Sequence, residues 1–430
     1  MFTKKIEQMK DQMITSLQEC IRIESVNTGK SSPEIQRALA YTLELAEHLG
    51  FEVKNIEDKV GYAQYGQGEE MIAVLAHLDV VAAGEGWSYP PFGGEIHDGK
   101  IFGRGVLDDK GAAIGALYAL KAIADSNVAL NRRIRIIFGT SEETGGDDIA
   151  RYKQTEELPV MGFTPDAEYP VIFAEKGIIN VVYAKKLNQG HAESVLEELV
   201  GGEAPNVVPS YVSAIISEKG AKSRLEAFGK TAHGSTPEKG KNAISELLSQ
   251  LKQIPFCEEL HQFIQFIHNR IGVETDGKGL GIHFQDEVSG ALTVNVGTIK
   301  LEGDEIKVCL DIRYPVTADF EYIKSKLQEA ADENNLQMHI VRHKKSLYIP
   351  ENSTLVEKLQ GVYEKETGQK VPPMSTGGGT YAKEMENIVA FGMLFPEQED
   401  VMHQKDEYMS IEDLIKNVKI MASAMYELAK

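Results

Sequence analysis

Acids and histidines in this 430-residue chain gather where short apolar runs end. The run MIAVLA at 71–76 leads straight into His77-Leu-Asp79. Residues two apart on an extended segment share a side. The pair therefore offers an imidazole ligand for a metal and, in Asp79, a group able to hold the second ring nitrogen. Residues 103–111 read GRGVLDDKG and precede an Ala-rich stretch, so Asp108 or Asp109 could equally cap a helix. Residues 139–146, GTSEETGG, continue the run RIRIIFG and set Glu142 beside Glu143. Adjacent carboxylates repel unless they are exposed or share a cation. Asp166, in TPDAE, follows another short apolar run, and His403, in MHQ, follows a strand-like segment at 388–395. Two imidazoles with several carboxylates suit two zinc ions, one carboxylate bridging them and a terminal pair completing each shell. One Glu is then left over as a base, which is the division of labour of a two-metal hydrolase.

These residues need a scaffold, and the pattern around them supplies one. Apolar residues at 6, 9, 13, 17 and 21 recur every three to four positions, as in an amphipathic helix. A second helix is expected over 32–49, closed by Gly50. Short strands are expected at 52–56, 62–65, 71–76 and 133–139, with a helix over 110–126 between them. Such alternation is that of an α/β sheet with helices on both faces, and folds of this kind place sites at the carboxyl ends of their strands. From about Gly177 the texture changes to strand-like runs (IINVVYAKK, VSAIIS, SRLEAFGK, LTVNVGTIKLEG, EIKVCLDIRYP), with helices near 242–270 and 318–335. That is an α+β pattern with antiparallel strands. The α/β texture returns near Pro350 and ends in a helix at 411–429. The expected organisation is a discontinuous catalytic domain, 1–176 and 350–430, interrupted by an inserted domain at 177–349.

Composition narrows the class. The net charge is −20, which argues against a nucleic-acid binder and against an anionic membrane surface. Cysteine occurs three times, an odd and sparse count that fits a reducing compartment. No apolar run is long enough for a membrane span, and the first residues lack the unbroken apolar stretch of a secretory signal. A cytoplasmic protein is expected. The stretch from Gly234 to Asn242 resembles a phosphate loop but has the wrong glycine spacing and ends in Asn rather than Ser or Thr. His97 lies in a hairpin-like His-Asp-Gly-Lys.

Taken in order, HLDVVAAGEGWSYPPF, GRGVLDDKG, GTSEETGG, PDAEYP, GKTAHGSTPEKGKNAI and MHQKDEY resemble the di-zinc metallopeptidase family of carboxypeptidase G, aminoacylase, acetylornithine deacetylase and succinyl-diaminopimelate desuccinylase. The segments GFTPDAEYP and STGGGTYAKEM…AFGMLFP…DVMHQKDEY look most like its peptidase V-type dipeptidases. Ala82 departs from that type, which usually has Pro after HLDVV. The resemblance implies a zinc-exopeptidase-like α/β catalytic domain with a mixed central sheet flanked by helices, plus an inserted α+β lid. It implies two divalent ions, zinc first and manganese or cobalt as options. Asp108 would bridge them, His77 and Asp166 would complete one shell, and Glu143 and His403 the other. Asp79 would orient His77, Glu142 would be the general base acting on a metal-bridging water, and His233 would polarise the oxyanion. The Asp108–Asp109 peptide bond would be cis.

Asn206, Arg313 and the loop bearing Ser375, Gly378 and Gly379 would meet the substrate, with Arg313 and the loop running from Gly377 to Tyr381 on its terminal carboxylate. The reaction implied is hydrolysis of dipeptides with a free N-terminus. Removal of an N-acyl group from small amino acids is the alternative. The long insert resembles the enlarged lid of the peptidase V type, for which a monomer is expected.

Overall fold

The computed structural model describes residues 2–29, 32–145 and 147–430; Gly146 of the GTSEETGG motif lies outside them. The chain divides into two compact units: Met1–Phe173 with Ile349–Met374 and Thr380–Lys430, and Ala174–Tyr348 with Ser375–Gly379. Residues 375–379 thus group with the inserted unit, although they lie inside the segment 350–430 that sequence texture joins to the catalytic domain.

The first unit is built on a mixed sheet. Its strands lie in the order Glu52–Ile56, Val60–Tyr65, Arg133–Gly139, Met71–His77, Met161–Thr164, Ile388–Phe391 and Val171–Glu175. The four in the middle run parallel, with His77 opposite Gly139, Val74 opposite Phe163 and Ala390 opposite Thr164. Met71–His77 is buried along its whole length, as an apolar run in a central parallel strand should be. The carboxyl ends of these four strands therefore come level. His77, Glu142, Asp166 and the chain leading to His403 all issue from that edge.

Helices form where the end signals stand. Pro33–His48 starts on Ser32, whose hydroxyl accepts the Ile35 N–H, and has Pro33 at its first turn. Gly50 takes φ +93° where the chain turns away. The helical periodicity at the start of the chain resolves into two helices, Thr3–Gln8 and Lys10–Ile21, with Met9 between them. Lys110–Ala124 is buried almost throughout, and its small residues let the helix Ile411–Ala429 come close. A Cβ at Gly115 would stand 2.9 Å from Met421 Cε. Asp109 occupies the N-cap position of Lys110–Ala124 but makes no side-chain cap bond. His97 and Lys100 do face each other across a hairpin, with Asp98 and Gly99 at φ +48° and +74° in the turn.

The second unit is an antiparallel sheet in the order Ala221–Phe228, Tyr211–Glu218, Ser194–Gly201, Thr293–Glu302, Glu305–Tyr314, Gly177–Lys186 and Gln337–Lys344. Ala243–Leu251, Glu258–Arg270 and Phe320–Glu333 are its helices. Leu247, Phe263, Ile264, Leu310 and Leu327 share one core there. Cys20, Cys257 and Cys309 are all buried and unpaired. Among the described residues no helix is long and apolar enough to cross a membrane.

The close fit of the parallel strands is testable at Gly162, where a Cβ would lie 2.1 Å from the Ala73 carbonyl oxygen of the neighbouring strand. Gly162→Ala should cost about 1–3 kcal/mol of stability, the usual penalty of overpacking. Urea unfolding measures it, and a midpoint equal to wild type would contradict this packing.

Candidate functional site

Asp108 sits between two imidazoles. Its Oδ1 is 2.9 Å from His77 Nε2, and its Oδ2 is 2.8 Å from His403 Nε2. Asp166 Oδ2 stands 3.7 Å from His77 Nε2, and Glu143 Oε1 stands 3.2 Å from His403 Nε2. The five residues thus fall into two overlapping sets, His77–Asp108–Asp166 and His403–Asp108–Glu143. Ligand atoms of His77, Glu142 and Asp166 also lie within 4.8 Å of one another, as do those of His77, Asp108 and Glu143. Glu142 is therefore on the Asp166 side of the cluster. The Asp108–Asp109 peptide bond is cis.

The chemistry of His77 asks for a cation. Its Nδ1 meets the carbonyl oxygen of Asp79 at 2.9 Å. A carbonyl only accepts, so Nδ1 carries a proton and Nε2 is the ring nitrogen turned towards the carboxylates. That Nε2 is buried and makes no hydrogen bond of acceptable geometry. Facing two carboxylates, that nitrogen needs positive charge, supplied either by a second ring proton or by a bound cation. A divalent ion fits this donor set of imidazole and carboxylate oxygens.

In the absence of a cation, protons have to serve. Burial and then the Asp108 charge push the Glu143 carboxyl up to about 7. Asp166 is raised for the same two reasons. Partial loss of water opposes charge on half-exposed His403, but hydrogen bonds to Asp108 and Glu143 outweigh it and lift the ring to about 11. His77 is likewise raised against its burial by Asp108 and Asp79. For Asp108, burial acts upward, yet its close contacts with His403 and His77 prevail and hold it well below the usual carboxylate range.

Other carboxylates hold the backbone that carries these groups. Asp148 Oδ2 accepts the N–H groups of Thr140 and Ser141 at 2.7 and 3.0 Å. Asp79 Oδ1 and Oδ2 accept those of Glu142 and Glu143 at 3.2 and 3.3 Å. Successive N–H groups from 140 to 143 are thus all tied to two buried carboxylates. Asp79 was expected to orient His77, and it holds the ring through its backbone carbonyl. Its carboxylate stands 3.5 Å from Nδ1 and also serves the Glu142–Glu143 turn, with Asn27 Nδ2 donating to it at 2.9 Å. Asp109 Oδ2 accepts the His77 N–H at 3.0 Å. The Tyr381 hydroxyl donates to Asp148, and its ring meets that of His77 edge-on at 6.0 Å. The loop expected to meet the substrate carboxylate runs on to this same Tyr381. No sequence pattern marks Asp148 or Asn27, and MHQKDEY contains Glu407, but nothing in the motif tells a backbone acceptor from a ligand.

In the second unit, Asn206, His233, Arg313 and Ser375–Gly379 form a connected group. The Gly234 N–H donates to the Asn206 carbonyl at 2.6 Å. The Ser235 N–H donates to His233 Nδ1 at 3.3 Å, which leaves the ring proton on Nε2. A Cβ at Gly377 would press on Ser235 Cβ at 2.6 Å, and the Gly377 carbonyl accepts from Arg313 Nη1 at 3.0 Å. Arg313 is nearly buried and donates Nε to Asp311 Oδ2 at 2.8 Å; fully buried Asp311 also accepts from Asn180 at 2.7 Å. Gly378 donates its N–H to Thr376 Oγ1 at 3.1 Å, and Ser375 and Gly379 bound the same short segment.

A model of the peptidase family M20/M25/M40 matches residues 73–427. The Bacillus subtilis protein named "Putative dipeptidase YtjP" is 37% identical over 98% of both chains. Among solved structures, the di-peptidase Dug1p of Saccharomyces cerevisiae aligns with a TM-score of 0.69 at 13% identity, over 99% of this chain and 97% of its own. YXEP of Bacillus subtilis, described as a dinuclear metal binding peptidase from the M20 family, aligns with a TM-score of 0.56 at 11% identity, over 97% of this chain and 99% of its own. At these identities the structural likeness is one of fold.

Metal uptake must displace the protons that Glu143, Asp166, His77 and His403 hold. Because these groups are raised, they stay protonated to higher pH, so metal binding releases protons and apparent affinity rises with pH. Calorimetric zinc titrations in two buffers of different ionisation enthalpy, at pH 6 and 8, should show net proton release and tighter binding at pH 8. Equal affinity at both would contradict this electrostatic picture.

Proposed function

The chain belongs to peptidase family M20/M25/M40, and from that premise we propose that it is a metal-dependent dipeptidase cleaving short peptides with a free N-terminus. The observation that carries this reading is Asp108 held between His77 and His403, with Asp166 and Glu143 on either side. His77, Asp108 and Asp166 would hold one divalent ion, and His403, Asp108 and Glu143 the other, with zinc the best match to these donors and manganese or cobalt also compatible. Such ions would lower the pKa of water from about 15.7 towards about 7 and polarise the scissile carbonyl.

The chain's own residues then do the proton work. A Glu142 carboxylate oxygen takes a proton from water as the water oxygen attacks the carbonyl carbon. As the C–N bond breaks, Glu142 passes that proton to the leaving amine nitrogen. The proton on His233 Nε2 suits donation to an oxyanion, where one such donor contributes about 3–4 kcal/mol. Arg313, Asn206 and the loop with Ser375, Gly378 and Gly379 would bind the substrate's terminal carboxylate and adjoining backbone. Dipeptidase names among the relatives favour peptides over N-acyl amino acids. The second unit would act as a lid, the protein as a monomer. Three buried, unpaired cysteines support a reducing compartment such as the cytoplasm.

Protein stripped with EDTA and resupplied with single metals should hydrolyse members of a dipeptide panel and leave N-acetyl and N-succinyl amino acids intact. Failure on every dipeptide would refute the reading. Glu142→Ala should keep its metal, measured by elemental analysis, and lose turnover by orders of magnitude; near-normal turnover would remove Glu142 as the base.

A further inference from the structure

Glu407 has the surroundings of a group that shapes the metal centre without belonging to it. It is fully buried. Its Oε1 accepts the N–H groups of Leu107 at 2.8 Å, Gly105 at 3.1 Å and Asp108 at 3.2 Å. Its Oε2 accepts from Arg104 Nη1 at 2.6 Å and from Gly105 at 3.1 Å. Its own carbonyl accepts the Gly103 N–H at 3.0 Å. The chain from 103 to 108 is therefore wrapped around one residue, and its last member is Asp108.

Glu407 also stands one short turn after His403. In that turn His403 and Asp406 have φ +61° and +57°, a tight left-handed course. The Asp406 carboxylate anchors it further by accepting the Ser88 N–H at 2.6 Å and the Ser88 hydroxyl at 2.9 Å. The segment that presents His403 thus grips the segment that presents Asp108. An ion pair that served only to neutralise Arg104 would not need the three backbone donors.

We propose that Glu407 is a positioning residue that locks the His403 turn to the Asp108 loop and so sets the gap that the metal on the His403 side must fill. The proposal rests on the reading that this centre holds divalent metal; it does not depend on which substrate is cleaved. Supporting carboxylates of this kind typically change metal affinity by about 10–100-fold.

Two measurements test it. Chelator competition with zinc should show the more weakly held ion of Glu407→Gln bound about 10–100-fold less tightly than in wild type. Arg104→Met, which leaves the backbone donors in place, should stay within a few fold. Zinc affinity of folded Glu407→Gln within twofold of wild type would overturn the proposal. The second measurement needs no variant. Hydrogen exchange at the amides of Gly105, Leu107 and Asp108 should be slow in metal-free wild-type protein and little changed by zinc, because the cradle exists before the metal arrives. Amides protected only after zinc is added would overturn it, since the metal would then be the organiser. Wild-type protein that takes up no zinc would overturn the metal reading as well, whereas absent dipeptidase activity alone would leave these readouts standing.

Discussion

Asp108 presents one oxygen to His77 and the other to His403, and it does so inside the protein. Burial should drive such a carboxylate towards its neutral form, yet the two imidazoles hold it ionised. The acids beside it are affected in the opposite sense. Glu143 and Asp166 feel both the loss of water and the charge on Asp108, and both resist ionising. Carboxylates crowded this closely are tolerable when some stay protonated or when positive charge stands among them, and the Nε2 of His77 is aimed where that charge belongs. Most of the surrounding architecture serves to keep this crowding in place.

The means are ordinary backbone hydrogen bonds with unusual acceptors. Asp79 and Asp148 take the N–H groups that precede and carry Glu142 and Glu143. Asp109 takes the N–H of His77, and Glu407 takes those of the Asp108 loop. Each such bond lies in a region of low water content, where electrostatic interactions are strongest. The parallel strands bring the loops level at one edge; these carboxylates then decide which way each loop faces.

Much of this was legible before the structure. MIAVLA reads as a buried central strand because it is short and wholly apolar, RIRIIFG reads as another strand, and they are the strands Met71–His77 and Arg133–Gly139. The placement of His77 and Glu142 at strand ends follows from those runs. The division of labour among the acids was less legible. Asp148, Asp109 and Glu407 are the same residue types as Asp108 and Glu143, and a carboxylate that accepts backbone N–H bonds differs from one that faces an imidazole only in its three-dimensional surroundings. Tyr381 shows the same limit. It adjoins the glycines in sequence, yet it packs beside His77 while residues 375–379 group with Arg313 in the other unit. Nor does any helix-breaking residue mark the interruption at Met9.

The central claim is that Asp108 is shared by two divalent ions. Anomalous diffraction at the zinc edge from crystals grown with zinc tests it most directly. The account predicts two peaks flanking the Asp108 carboxylate, one against His77 and Asp166 and the other against His403 and Glu143. A single peak, or peaks that leave Asp108 without contact to both, would contradict it.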